Sequence, residues 1–435
     1  MERLRNPYSG LGQYCLHLGH AFAAEKGAKD LDFACLVPAE RVGEFGETMR
    51  YKAVRPWHKI FGPDFGESLW HCMHQDSNYT PRRRKTKLIY TIHDLNFLDR
   101  PDYSAAKKQH RLTALQAKIN RANGLVYISE YVQDWVHANL IVAQDTLEKV
   151  IYNGGRLTVD GGRWTVDGGR WTVDGGRRTA DGGRLTVDGG RWTVDGGRWT
   201  VDGGRRTVDG GRLTADGGRW TVDGGRRTAD GNAAPHPASL IPPPSSLIPP
   251  PSSLLPPPSS LPPFLFSIGI HPKKNYHVLM PILAENKGYQ WIIAGPDSRG
   301  YRAKIEQEAQ RWGVADRINF CGPVGNEEKR NYYEQCSALL FPSLSEGFGL
   351  PVVEAMSLGK PVFLSDRTSL PEIGGKEAYY FSDFEPENLC KTFREGMQQF
   401  EKDPDKPARM IAWANQFSWE KAADQYLEFY QQLLN

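Results

Sequence analysis

The sequence predicts two α/β domains with parallel sheets, residues 1–153 and 264–435, separated by a low-complexity stretch over 154–263. Three observations predict this. Short apolar runs alternate with helical spacing in the first part, the same alternation returns in the last part, and composition changes abruptly between them. In the first part "LDFACLVP", "KLIYTIHD", "NGLVYISE" and "EKVIYNG" read as buried strands ending in polar or glycine residues, and "LGQYCLHLGHAFAAEKG" and "AAKKQHRLTALQAKINRA" carry helical spacing. In the last part "PFLFSIGI", "YQWIIAGP", "RINFCGP", "SALLFPS" and "GKPVFLSD" read as strands, with helices in "YRAKIEQEAQRWG" and "GLPVVEAMSLG". Strand, helix, strand in both parts implies parallel sheets, whose ligands sit at the carboxyl ends of strands, in the cleft between facing domains. One element fits poorly. "NPYSGLG" has the form of a loop from a first strand into a first helix, yet only "MERLR" precedes it. That is short of a central strand of ~5–6 residues, so either a late start or a truncated first strand is expected, and with it a weakened first domain.

The middle stretch opens with eleven heptads of the type "GGRWTVD", from Gly154 to Asp230. They hold fourteen arginines and eleven aspartates, a surplus of three positive charges, and the whole chain has a net charge of +3. The remainder is therefore balanced, and charge alone points to no nucleic-acid or membrane partner. A second array, "SLIPPPSSLIPPPSSLLPPPSSLPP", also repeats every seven residues, and its prolines favour polyproline II or disorder. Two adjacent arrays with a seven-residue unit, hence twenty-one nucleotides, are explained by tandem DNA translated in frame. Loop-closure entropy grows only logarithmically with length, so such an insertion still lets the flanking domains dock, with activity reduced or absent where linker contacts are lost.

A rival reading makes the repeat the working part. "GGRW" interleaves arginine with aromatics, as single-strand nucleic-acid binders do, or the array serves as a protein-binding module. Nearly every arginine is matched by an aspartate, which removes the electrostatic drive, and a solenoid with one or two apolar residues per unit buries little. No nucleic-acid partner is expected.

The six cysteines form no CxxC pair, so neither a zinc site nor a disulfide framework is signalled, and a reducing cytoplasm is expected. The first residues lack a signal-peptide core, and no run is long enough to span a bilayer. The basic run Arg82 to Lys87 reads first as a solvated loop and second as a dock for anionic lipid at the inner face of the membrane or for a phosphorylated acceptor.

The stretch that carries chemistry is "PSLSEGFGLPVVEAMSLGKPV", Pro342 to Val362. A strand ends at Phe341, a glycine-rich turn follows, and a helix begins near Pro351, a residue suited to a first helical turn. Free N–H groups and the macrodipole at a helix start suit a phosphate, and Gly347 and Gly349 let a ligand approach the backbone. Glu346 before the turn and Glu354 one turn inside the helix repel phosphate and suit hydroxyl groups on either side of it. Taken alone, these two also read as a solvated loop glutamate and a helix glutamate.

Glutamate, seven residues, glutamate, in "EGFGLPVVE" followed by "AMSLGKPV", resembles the signature of the retaining GT-B glycosyltransferases of family four. "NPYSGLGQYC", "TIHDLNFL", "YISEYV", "VIYNG", "SIGIHPKKN", "IIAGP" and "FCGPV" fall in that family's order, and the resemblance covers nearly all of the chain outside the arrays. It implies two Rossmann-like domains facing across a cleft, with "FSWEKAADQYLEFYQQLL" as a last helix crossing back.

For the site, the resemblance implies that Glu354 binds the ribose of a nucleotide-sugar donor and Glu346 contacts the donor sugar. Backbone groups of Gly347, Phe348, Gly349 and Leu350 would hold sugar and diphosphate. Lys274 would pair with the diphosphate and stabilise the leaving charge, with Lys273 beside it as a point charge where many relatives have arginine. His93, at a strand end, would face the donor sugar, while Asp94 reads as a capping or loop-bonding residue. Gly10 and Gly12 would bring backbone near the diphosphate or acceptor, and Asn153 would border the cleft. The implied reaction moves a hexose from a nucleotide-diphosphate sugar to a hydroxyl of a saccharide or lipid-linked acceptor, with retention and without a metal or other cofactor. A catalytically impaired relative is the alternative. A metal-binding DxD at Asp30 to Asp32, which would belong to the other glycosyltransferase fold, precedes a strand rather than ending one.

Overall fold

The computed structural model describes residues 1–155 apart from Tyr8, 26–30 and Thr48, residues 262–435 apart from Ser298, and short strand segments between 166 and 228. The chain forms two compact units, one made of 1–157 with 253–435 and the other of 158–252.

The first part supplies helix α1 (Gly10–Ala24), strands β1 (Ala34–Val37), β2 (Arg50–Ala53), β3 (Leu69–Cys72) and β4 (Lys87–Ile92), helix α2 (Ala105–Ile119), strand β5 (Gly124–Tyr127), helix α3 (Glu130–Asn139) and strand β6 (Leu147–Val150). All its pairings are parallel, in two separate sheets, β1-β2 and β3-β4-β5-β6. Three of the helices start on serine caps: Ser9, Ser104 and Ser129 each accept a bond from the backbone N–H three residues on. "MERLR" forms a short 3₁₀ turn over Glu2–Arg5 rather than a strand.

The last part is a single parallel sheet. Its elements are β7 (Phe264–Ile270), α4 (Met280–Glu285), β8 (Gln290–Asp297), α5 (Tyr301–Arg311), β9 (Ile318–Gly322), α6 (Asn326–Gln335), β10 (Ala338–Phe341), α7 (Leu350–Met356), β11 (Val362–Ser365), α8 (Leu370–Gly374) and β12 (Tyr379–Phe381), followed by helices α9 (Pro386–Lys402), α10 (Lys406–Ala414) and α11 (Trp419–Leu434). The order β9-β8-β7-β10-β11-β12 is the doubly wound order 3-2-1-4-5-6. Strands buried on both faces explain the unbroken apolar runs, such as Ala338–Phe341 with every residue buried. The order reverses between β7 and β10, and a doubly wound sheet opens its ligand crevice at that switch point.

The last helix crosses back onto the first part. Tyr426 bonds Tyr14 (2.7 Å) and Thr91 (3.1 Å) through its hydroxyl, and Tyr430 bonds Nδ1 of His71 at 2.7 Å. Burial pushes the His71 imidazole down to about 3, so it enters this network neutral. The segment 151–155 also belongs to this unit: Gly155 N–H donates to Phe417 O at 3.1 Å, and a Cβ on Gly154 would meet Trp419. The first two glycines of the heptad array are thus part of the fold, two residues beyond the boundary expected at Asn153.

In the second unit the described strand segments from Arg170 on pair in parallel at an offset of fourteen residues, as in Arg184 with Arg198 and Arg191 with Arg205, and Val166–Asp167 pairs antiparallel with Arg170–Asp174. From Arg170 on, alternate heptads therefore fall into two different sheets, one of six strands and one of four, the six including Val166–Asp167 beside Arg170–Asp174. The glycine connections of the array, the proline array to Leu261, and Asp30 of the DxD reading lie outside the described residues. Asp32 pairs with Arg50.

Candidate active site

At the switch point, the loops after β7 and β10 meet. The loop after β7 is fixed by its own sequence. His271 caps a 3₁₀ turn, its Nδ1 accepting the Lys273 N–H at 3.2 Å, Pro272 opens that turn, and Asn275 closes it with φ +59°. Gly269, at φ +88°, leaves room for the Lys274 stem, since a Cβ there would stand 3.3 Å from Cε of that lysine. The loop after β10 is stitched to it: Leu344 N–H donates to Lys273 O at 2.7 Å.

These two loops bring Glu346, Lys273 and Lys274 together. Lys274 Nζ lies 2.8 Å from Glu346 Oε1, Lys273 Nζ 3.2 Å from Oε2, and Ser343 Oγ donates to Oε1 at 2.7 Å. Burial by itself would raise the Glu346 carboxyl, but Lys273 and Lys274 outweigh it and hold the group at about 2. Burial pushes the Lys274 ammonium down to about 8, a fall that Glu346 limits and Lys273 deepens. For Lys273, burial is more than offset by Glu346 and Asp94, and its value is raised. The Lys274 ammonium also sits 4.0 Å from the centre of the Phe341 ring. The result is a carboxylate between two cations at the carboxyl ends of the two central strands, an arrangement able to receive an anionic group beside hydroxyl groups.

Glu354, on α7, is buried away from this cluster and paired separately. Lys329 Nζ donates to its Oε1 at 2.7 Å and Tyr333 OH to its Oε2 at 2.9 Å. Both partners stand four residues apart on α6, so one helix face supplies them. Their spacing in "KRNYY" was the available signal, masked by neighbouring charged residues. Each carboxylate oxygen keeps a further acceptor site for a hydroxyl.

The turn between the glutamates is shaped by contacts across the cleft. A Cβ on Gly347 would lie 1.9 Å from His93 O, and Gly347 O accepts from Ser129 Oγ at 2.7 Å. Ser345 Oγ bonds Asn96 and Asp99, and the Glu372 carboxylate accepts the N–H groups of Glu130 and Tyr131 at the start of α3. Gly349 takes φ +105° at the start of α7. The Phe348 ring packs on Tyr152 and Phe417, leaving only its backbone toward the turn, where its carbonyl accepts from Ser369. With α7 only seven residues long, the two lysines are the principal positive charges here.

Other expected residues are placed as follows. His93 Nε2 donates to Met73 O at 2.8 Å, and burial pushes its imidazole down to about 3, leaving a neutral ring with Nδ1 as acceptor. Asp94 accepts from the Asn96 N–H, the loop-bonding role expected, and also faces Lys273 electrostatically. A Cβ on Gly12 would strike Asn6 O at 2.0 Å, so that glycine serves its own loop, whereas Gly10 faces open space. Leu350 begins α7. Asn153 is buried, and its Oδ1 has no hydrogen-bond partner. In the basic run, Arg83 pairs with Asp64 and Lys87 donates to Leu433 O. No helix among the described residues is long and apolar enough to cross a membrane.

Solved structures share this architecture. The chain superposes on Anabaena HepE in complex with UDP and glucose with a TM-score of 0.57, 15% identity, and coverage of 98% of this chain and 96% of that one. For sucrose-phosphate synthase from Thermosynechococcus elongatus the values are 0.54, 16%, 85% and 74%. The fold is GT-B. Residues 257–417, the part that holds the GT-B switch point, match the family model of glycosyl transferases group 1. Among curated relatives, D-inositol 3-phosphate glycosyltransferase of Streptomyces scabiei is 31% identical over 147 residues, 32% of this chain and 32% of the relative. O-antigen chain mannosyltransferase B of Escherichia coli is 30% identical over 171 residues, 38% and 44% respectively. The matched stretch thus spans a third to under half of these relatives' length.

The close approach at Gly347 gives a direct test of the cleft contact. Gly347→Ala is expected to cost ~1–3 kcal/mol by overpacking against the His93 carbonyl, read as a lowered midpoint in denaturant. An unchanged midpoint would show that the two loops do not meet.

Proposed function

We propose that this protein is a retaining glycosyltransferase that moves a hexose from a nucleotide-diphosphate sugar to a hydroxyl of a saccharide or lipid-linked acceptor. The observation that carries this reading is the Glu346–Lys273–Lys274 cluster at the switch point of a GT-B fold. The match to the glycosyl transferases group 1 model and the names of the relatives support it.

In this reading the diphosphate lies against Lys274 and Lys273, which exchange part of their pairing with Glu346 for the phosphate oxygens. As the glycosidic bond breaks, negative charge grows on the β-phosphate, and the two ammonium groups, already held in place by Glu346, need little reorganisation to stabilise it. Glu346 then accepts a sugar hydroxyl, and Glu354, oriented by Lys329 and Tyr333, accepts the ribose hydroxyls. The orphaned Asn153 Oδ1 is satisfied by a donor hydroxyl. The departing phosphate takes the acceptor proton on the same face, so the configuration is retained. No step calls for a metal. The acceptor lies toward the first domain, with His93 Nδ1 available to accept one hydroxyl.

The test is a thermal-shift screen of UDP- and GDP-sugars against the full chain and against a chain lacking 158–252. A donor at a hundred times its Kd adds ~2.7 kcal/mol, a rise of several degrees that Asn153→Ala should reduce. No shift with any nucleotide sugar in either chain, together with no sugar release, would overturn the proposal.

A further inference from the structure

A single helical turn between β2 and β3 carries its apolar side chains outward. The N–H groups of Ile60 and Phe61 donate to Trp57 O at 3.0 and 2.9 Å, closing the turn His58–Phe61 on Trp57. Positions three and four residues on from Trp57 share its face, so Trp57, Ile60 and Phe61 stand together. His58 anchors the opposite side: it is buried, its ring meets Phe65 edge-on, and its Nδ1 accepts the Arg55 N–H at 3.2 Å. Trp57 is 54% exposed, Ile60 64% and Phe61 65%. Other exposed large apolar residues, such as Ile141 and Trp312, stand singly in the chain, which is ordinary for a protein surface.

The basic run is fastened beside this turn. Arg82 donates to Ile60 O at 2.5 Å, and a Cβ on Gly62, at φ +73°, would stand 2.6 Å from Thr80 O. Arg121 donates to Pro81 O at 3.2 Å and Thr86 Oγ to Glu67 O at 2.9 Å, so the backbone of the run is tied at both ends. Its side chains Arg82, Arg83, Arg84 and Lys85 are exposed, as are Arg55 and Lys59 on the turn. Against these six cations stand Asp64, which pairs with Arg83, and Glu67, leaving a surplus of four positive charges.

We infer that this face docks on an anionic lipid surface, with Trp57, Ile60 and Phe61 seated at the boundary of headgroups and chains and the cations on lipid phosphates. Aromatic rings with a polar edge suit that boundary, and basic side chains suit its negative potential. Shallow insertion needs only an apolar face together with charge. A stable protein interface takes ~20–30 residues a side, and three apolar side chains on one turn do not supply it. The consequence for the chemistry rests on the proposed function: of its two acceptor classes, a first domain docked on lipid takes the lipid-linked one.

The test is sedimentation of the full chain with vesicles of phosphatidylglycerol or of phosphatidylcholine, with no nucleotide sugar present. Binding to phosphatidylglycerol is expected to be ~10² tighter or more, since each basic residue near a charged surface contributes a factor of ~5. Arg84→Glu with Lys85→Glu is expected to weaken it by ~10² or more, and Trp57→Ser with Phe61→Ser by ~10 or more at unchanged charge. These four side chains are exposed, so Tm should hold in both variants. If the serine pair lowers Tm, the glutamate pair decides. No binding to either vesicle would overturn the inference. Binding that survives the serine pair is adsorption by charge alone, and binding that survives the glutamate pair belongs to another surface, such as the arginines of the heptad array; either result overturns it. A dimer that the serine pair abolishes would overturn it too, and make this face an interface between copies. Failure here leaves the nucleotide-sugar reading standing, because no donor enters the measurement.

Discussion

Glu346→Ala is expected to lower stability by ~3 kcal/mol or more, because removing one partner of a buried ion pair leaves the other charge uncompensated. Here two ammonium groups lose the same counter-ion. Lys274 is buried, whereas Lys273 keeps about a third of its side chain exposed, so Lys274 carries most of the loss. Denaturant titration reads the change, and a loss within ~0.5 kcal/mol, the range of ordinary surface substitutions, would refute the pairing. The pH dependence has a definite sign. The Glu346 carboxyl is held at about 2 against an ordinary 4.5. Its contribution is therefore complete above 4.5 and is lost as pH falls from there toward 2. The parent should lose stability over that acid window more steeply than the alanine variant.

Lys274→Ala is expected to lower kcat/KM for sugar transfer by ~10²–10³, the usual effect of removing one charge-stabilising donor. The parent should lose kcat/KM as pH rises through about 8, where burial leaves the free enzyme's Lys274 ammonium ready to deprotonate. Over the window from about 8 to the ordinary 10.5 the unfolded chain binds the extra proton, so this residue makes stability rise with pH. The alkaline loss of activity is thus not unfolding. Lys274→Arg cannot deprotonate in that range and should remove the alkaline limb even where its activity is lower. An alkaline limb that survives in the arginine variant would assign it to another group.

Much of the fold was legible because parallel strands buried on both faces leave unbroken apolar runs. All nine strands expected from such runs are present, including Phe264–Ile270 and Ala338–Phe341. Outside the heptad array, whose strand segments were not foreseen either, the strands not foreseen are those without that signal. Arg50–Ala53 and Tyr379–Phe381 are edge strands and only partly covered, Tyr379–Phe381 is only three residues long, and Arg50–Ala53 and Leu69–Cys72 are mixed in composition. The helices Glu130–Asn139 and Asn326–Gln335 escaped notice because short charged helices bury few residues.

By itself the sequence determined the two α/β domains and the turn between Glu346 and Glu354, while the resemblance to a family added the lysine pair after the first strand of the second domain and the returning last helix. These are local facts: a strand, a cap, a glycine at positive φ and an amphipathic spacing are each written within a few residues. Only the tertiary structure decided which partners those residues meet. It set Glu346 between Lys273 and Lys274, gave Glu354 to Lys329 and Tyr333, and bound the His93 ring to Met73. The physical reason is that the switch point joins loops about seventy residues apart in the chain. Strand order, which no local pattern encodes, decides which loops those are.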